Sequence, residues 1–264
     1  MWKIRVFLLG LSLIVIFLIY SLPRVVVKNE EQTGSPQVPS SQSTGVSPGI
    51  SRKISSLREK FLNSDEKQKS AIFADSLATL YAQSEVLDSA AWYLGWIAEN
   101  TGNLEALLKA GDLYYKAFET APTKEEAGMY GLKAREFLNQ YLDHFPENAE
   151  AKTKAAMTFV GSGEPMKGVG LLMEVAREHP DYEPAIFNLG ILSMQSSQYD
   201  KAIERFERLL ELNPRHLQAM FYLAVSYMEA GRKADAKAGF NKVINLTQDE
   251  EIRTAARNYL EKLK

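Results

Sequence analysis

The chain has 264 residues with 31 basic and 33 acidic side chains, three His and no Cys, and 45% of it is hydrophobic. That length makes one large domain or two small ones, and the apolar content excludes wholesale disorder. The missing Cys excludes disulfide scaffolds, thiolate metal sites and cysteine nucleophiles, and the net charge of −2 argues against binding nucleic acid by bulk phosphate neutralisation.

The N-terminus is set apart. No charged residue occurs from Val6 to Pro23, and the 17 residues Val6–Leu22 are almost wholly Leu, Ile, Val and Phe. As a helix they cover about 25 Å, close to the hydrocarbon thickness of a bilayer. Trp2 and Tyr20 stand where interfacial rings favour the membrane boundary, and Lys3 and Arg5 favour a cytoplasmic N-terminus. A cleaved signal peptide would share these features, but the exit Ile19-Tyr20-Ser21-Leu22-Pro23 offers no good small-x-small cleavage site. Residues 1–27 are therefore expected to be an uncleaved transmembrane signal anchor, meeting lipid through residues 4–22. With no eukaryotic targeting pattern, the expected setting is a bacterial inner membrane crossed once, the remainder lying in the periplasm.

Residues 28–50 change to Ser, Thr, Pro, Gln and Gly, with Pro36, Pro39 and Pro48 spaced through them. Such a stretch buries too little apolar surface to offset its ordering entropy and is expected to be a flexible linker.

From residue 51 onwards apolar residues recur at three- and four-residue spacing, which predicts an all-α region. A 34-residue period runs through it. Leu189-Gly190, Ala202, Phe206, Leu209 and Pro214 become Leu223-Ala224, Ala236, Phe240 and Val243 one period later, and Ala155-Ala156, Gly168, Leu172, Val175 and Pro180 one period earlier. Small residues recur where helices approach closely, and large apolar ones where the next unit packs. Leu77-Ala78 and Tyr81, then Ala110-Gly111, Tyr114, Ala134, Leu138 and Pro146, continue the pattern upstream. Between Gly111 and Ala134 the chain carries 11 residues more than the period allows.

This pattern resembles the tetratricopeptide repeat (TPR) family, most closely at Tyr199-Asp200-Lys201-Ala202 through Asn213-Pro214. The resemblance implies an all-α solenoid of helix–turn–helix units over residues 51–264, in about five repeats (71–103, 104–148, 149–182, 183–216, 217–250) and a capping helix at 250–264. It also implies a concave groove lined by the first helix of each unit. Carried onto this sequence, the groove positions include Met157, Phe187, Ile191, Met194, Phe221, Val225 and Met228. An apolar, Met-rich lining suits an amphipathic helix or apolar peptide of a protein partner. The Lys, Asn and Arg set with which some members grip a terminal carboxylate is incomplete in that groove, where only Asn188 stands near such a position.

Other signals favour structure over chemistry. Gly161-Ser162-Gly163-Glu164-Pro165-Met166-Lys167-Gly168 resembles a phosphate loop weakly, but it lacks the preceding strand and the Gly-Lys-Ser/Thr ending, and it falls at an inter-helix turn. His144, His179 and His216 lie about one repeat apart, too far to share an ion, and are expected at or just beyond the ends of second helices, capping C-termini or simply exposed. Glu125-Glu126 and Glu250-Glu251 suit helix starts. No catalytic residue, cofactor or metal is expected, and no enzyme. The reading is a membrane-anchored interaction adaptor or scaffold, with assembly of an envelope protein complex as one use. A homo-oligomer, with the groove of one copy holding a helix of another, is the alternative.

Overall fold

The computed structural model describes residues 47–263. The expected membrane span and most of the linker lie outside the described residues. Among those described, no helix is long and apolar enough to cross a membrane.

The described chain is an all-α solenoid of twelve helices. They are α1 (Pro48–Leu62), α2 (Lys67–Gln83), α3 (Leu87–Thr101), α4 (Leu104–Thr120), α5 (Lys124–Leu142), α6 (Ala149–Gly161), α7 (Pro165–Glu178), α8 (Glu183–Gln195), α9 (Tyr199–Leu212), α10 (Leu217–Glu229), α11 (Lys233–Leu246) and α12 (Glu250–Lys262). Each packs on the next in the chain, as short connections demand. First helices of successive units also touch, α4 with α6, α6 with α8, and α8 with α10. The helix that precedes the first unit starts at Pro48, inside the stretch expected to be linker. Proline at the first turn explains this, because its fixed φ suits a helix start and its missing N–H would lack a partner there anyway.

The three regular units share one turn. Gly163, Ser197 and Gly231, spaced by the repeat, have φ of 83°, 57° and 78°. In each the next residue's N–H reaches back five positions: Glu164 to the Phe159 carbonyl (3.1 Å), Gln198 to Ser193 (2.8 Å) and Arg232 to Tyr227 (2.8 Å). This closes the first helix with a left-handed residue and sends the chain back alongside it. The glycine-rich string at 161–168 is thus one instance of a recurring turn.

The core follows the period. Ala202, Phe206 and Leu209 are fully buried, as are Ala236, Phe240 and Val243, and Leu172 and Val175. Close approach fixes the small residues. A Cβ on Gly190 would lie 2.6 Å from the Phe206 ring, and one on Gly168 would lie 2.5 Å from the Ala156 carbonyl oxygen.

The 11 extra residues of the second unit are shared out. Helix α4 has 17 residues where α6 has 13, and α5 has 19 where α7 has 14. The loop 143–148 then has two more than 179–182. This unit turns differently as well. Ala121 is extended (φ −62°, ψ 130°) and the Thr123 side chain caps α5 by accepting from the Glu126 N–H. The Thr123 hydroxyl also donates to the Glu126 carboxylate at 3.0 Å, which holds the capping side chain in place.

Aromatic packing closes both ends. Phe61 of α1 meets Trp92, Tyr93 and Trp96 of α3 edge to face, at 4.9–6.3 Å between centroids. At the other end Tyr259 of α12 stacks on Phe240 at 5.2 Å. Such caps shield core faces that an open solenoid end would expose.

Candidate protein-binding groove

Helices α6, α8 and α10 are the first helices of the regular units and carry the seven residues the repeat register selects. Their starts are fixed locally. Asn148 accepts the Ala151 N–H at 2.8 Å ahead of α6, Pro184 opens α8, and His216 Nδ1 accepts the Ala219 N–H at 3.2 Å ahead of α10. His216 therefore caps a helix N-terminus, and the expectation of a C-terminal position is corrected. His179 does sit at the C-terminal end of α7, and His144 just past that of α5.

Six of the seven residues are half-buried. Met157 packs on the Ala156–Leu172–Val175 cluster, and Phe187, Ile191 and Met194 pack on the Ile186–Phe206–Leu209 cluster. Phe221 and Met228 flank the Phe240 cluster, while Val225, only 7% exposed, belongs to that core itself. Val225 thus supports the wall from behind and presents almost nothing to a partner.

The two phenylalanines occupy equivalent places one repeat apart. Phe187 meets Phe206 at 6.0 Å and Tyr222 at 5.8 Å, and stacks on His216 at 5.4 Å. Phe221 meets Phe240, Tyr222 and Tyr259 at 5.7–5.8 Å. Each lines a surface cavity. One, of about 510 Å³, is bounded by Asp181, Tyr182, Glu183, Pro184, Phe187, Asn188 and His216. The other, of about 290 Å³, is bounded by Gln218, Phe221, Tyr222, Glu251, Ile252 and Ala255. Pro184 and Gln218 share one register position, as do Asn188 and Tyr222.

The rim is acidic but partly neutralised. Asp181 pairs with Arg208 at 2.8 Å, and Glu183 accepts from the Asn213 amide at 3.1 Å. Toward the second unit, Lys154 bridges Asp112 (2.7 Å) and Glu150 (2.6 Å), tying α4 to α6. Burial works against its charge, but the two carboxylates outweigh it and raise the ammonium's pKa. Sequence reasoning missed this bridge, because its partners are 42 residues apart. Burial raises the Tyr182 phenol, and Glu150 adds to the effect.

Among the described residues, Glu147, Glu178 and His179 bring one ligand atom each within 4.8 Å of one another. Both glutamates are exposed, and Glu178 is already paired with Lys152 at 2.8 Å. Lys152 also reaches Glu174 at 3.2 Å. A lysine therefore supplies the positive charge there.

Residues 193–259 match the family described as Tetratricopeptide repeat. Over that stretch the chain is similar to the tetratricopeptide repeat. Among curated proteins, the chain is 34% identical over 89 residues to a UDP-N-acetylglucosamine–peptide N-acetylglucosaminyltransferase of Giardia intestinalis, covering 34% of this chain and 6% of that one. It is 28% identical over 96 residues to the photosystem I assembly protein Ycf3 of Rippkaea orientalis, covering 34% and 55%. To the peroxisomal targeting signal receptor of Komagataella phaffii it is 29% identical over 130 residues, covering 49% and 22%. The chain thus spans between 6% and 55% of the length of these three relatives.

Among solved structures, MamA superposes with a TM-score of 0.53 at 19% identity, over 66% of this chain and 90% of that one. YrrB, described as a TPR protein with an unusual peptide-binding site, gives 0.51 at 18%, over 79% and 97%. At such identity the likeness speaks for the TPR solenoid fold alone.

Proposed function

We propose that this chain is a membrane-anchored adaptor without enzymatic activity, which holds an apolar segment or amphipathic helix of a protein partner against α8 and α10. The observation that carries this reading is the pair Phe187 and Phe221, one repeat apart, each half-buried and each walling a surface cavity. Two apolar sites at repeat spacing suit anchors on one face of an extended or helical segment. Rings left in contact with water are a feature that binding surfaces use.

The anchor part of the reading rests on the sequence, on the uncharged run Val6–Pro23 with basic residues before it. The partner class agrees with the names of two relatives, an assembly protein and a targeting-signal receptor, and with the peptide-binding site ascribed to YrrB. In this reading the solenoid lies in the periplasm of a bacterial cell and serves assembly of an envelope protein complex.

The test is photo-crosslinking of the full chain in native membranes, with the probe at Gln218, an exposed residue lining the cavity beside Phe221. The control probe stands at Glu204, exposed on the second helix of the preceding unit. A discrete foreign protein captured from position 218 alone, and lost in Phe221→Ser, is the expected result. Capture of a second copy of this chain would replace the adaptor with a self-associating solenoid, and capture of nothing would remove the groove as a site.

A further inference from the structure

The lengthened second unit carries a charge that no ion pair explains. Arg135, on α5, is only 9% exposed. It forms no ion pair with any carboxylate among the described residues, and one of its terminal amino groups is buried without an acceptor. Its guanidinium lies 3.8 Å above the Phe159 ring of α6. Stacking on an aromatic face fixes the plane of the fork and offsets part of the desolvation, but it supplies no counter-charge. A buried guanidinium left in that state is costly, and such charges are normally matched by an anion.

Arg135 also lines a surface cavity of about 370 Å³, together with Lys124, Gly128, Leu132, Gly161, Ser162 and Glu164. The first half of α5, which includes the added length, forms one wall. The α6–α7 turn, the stretch with the faint phosphate-loop signature, forms the other. On α5 the lining residues fall at intervals of four, four and three, so they share one face of the helix. Only Gly161, at the end of α6, lies on a groove helix, and none is on α8 or α10, against which the partner is proposed to lie, so the site does not depend on the adaptor reading.

We propose that this cavity binds a carboxylate bearing a short aliphatic body, with Arg135 as the binding residue. The guanidinium fork matches a planar carboxylate, Lys124 and the Ser162 hydroxyl stand at the rim, and Leu132, 59% exposed, offers an apolar wall. Glu164 decides between anions. Its own charge is held by Lys167, and Arg135 reaches it only as a background field that helps lower its carboxyl pKa. A carboxylate in the wall penalises a phosphate, with charge nearer −2, more than a monoanion.

The test uses the full chain in neutral detergent, labelled with ¹⁵N-arginine, with the Arg135 side-chain signal assigned by its absence in Arg135→Met. Acetate, hexanoate, N-acetyl-leucine, N-acetyl-leucinamide and inorganic phosphate are titrated at matched ionic strength. A saturable shift of that signal with hexanoate or N-acetyl-leucine, several-fold weaker with acetate or phosphate and missing with the amide, is expected. The tighter of the first two separates a free aliphatic acid from a chain terminus, and either supports the site. Lys124→Met should weaken binding about threefold, and Glu164→Gln should strengthen it by a similar factor. The strengthening is a gain that misfolding cannot imitate. No saturable shift, an equal response to the amide, tighter binding of phosphate, or weaker binding in Glu164→Gln would overturn the proposal.

Discussion

The regular units 149–250 and the lengthened unit 104–148 solve the same packing problem differently. In the regular units a left-handed turn residue reverses the chain after 13 residues of first helix, and side chains at repeat spacing close the interior. In the lengthened unit the chain turns through an extended Ala121 and Pro122 to the Thr123 cap of α5, and the helices run on by four and five residues. The regular units leave shallow apolar cavities beside Phe187 and Phe221, whereas the lengthened unit leaves a charged one around Arg135. Repetition thus builds a periodic surface, and a departure from it makes a local one.

Four substitutions would break or sharpen this contrast. The largest effect is expected from Gly190→Leu in a regular unit, because a Cβ there already meets the Phe206 ring. We expect a loss of about 3 kcal/mol or more, read as a large drop in thermal midpoint by circular dichroism, and an unchanged midpoint would refute the close approach. Phe221→Ala should cost about 2 kcal/mol, less than a fully buried Phe because the ring is half-exposed, and the same melt would check it. A cost near zero would mean that the ring serves only a partner and not the fold. Ser197→Gly should stabilise by roughly 1 kcal/mol, since it relieves a left-handed backbone that Gly163 and Gly231 adopt freely; urea midpoints would show it. The smallest effect should come from Gly128→Ala in the extension of α5, where a Cβ meets nothing within 4 Å. There the helical gain of about 0.5–1 kcal/mol should appear unopposed, and a destabilisation would show that the extended turn of α5 is packed more tightly than its open surroundings suggest.

The repeat, its helix pairs and most of its core are legible in the sequence because the residues that fix them are local: a small residue at each close approach, a large one at each stack. The depth of individual groove residues is not. Ile191 and Val225 share one register position, yet Val225 sinks into the core because α11 and α12 close over it, and spacing along one helix does not report how near the next unit comes. Arg135 is hidden for a similar reason. On a helix it reads as one more surface charge, and only the approach of Phe159 from another helix buries it. His216 misleads because a histidine four residues beyond one helix is also the residue just before the next. Composition places Pro48 in a linker, since it cannot distinguish a proline there from one that opens a helix.

The ring of Phe61 among Trp92, Tyr93 and Trp96 has a mechanical consequence. Any pull arriving along the 46 residues that precede the described part enters the solenoid through α1. At the far end of α1 that load is met by a ring wedged between aromatic edges on α3, a helix beyond the neighbour of α1 in sequence. Tension would be shared by three helices at once, so the first event under force would be the cooperative release of this aromatic clasp, ahead of any unzipping of the stack behind it.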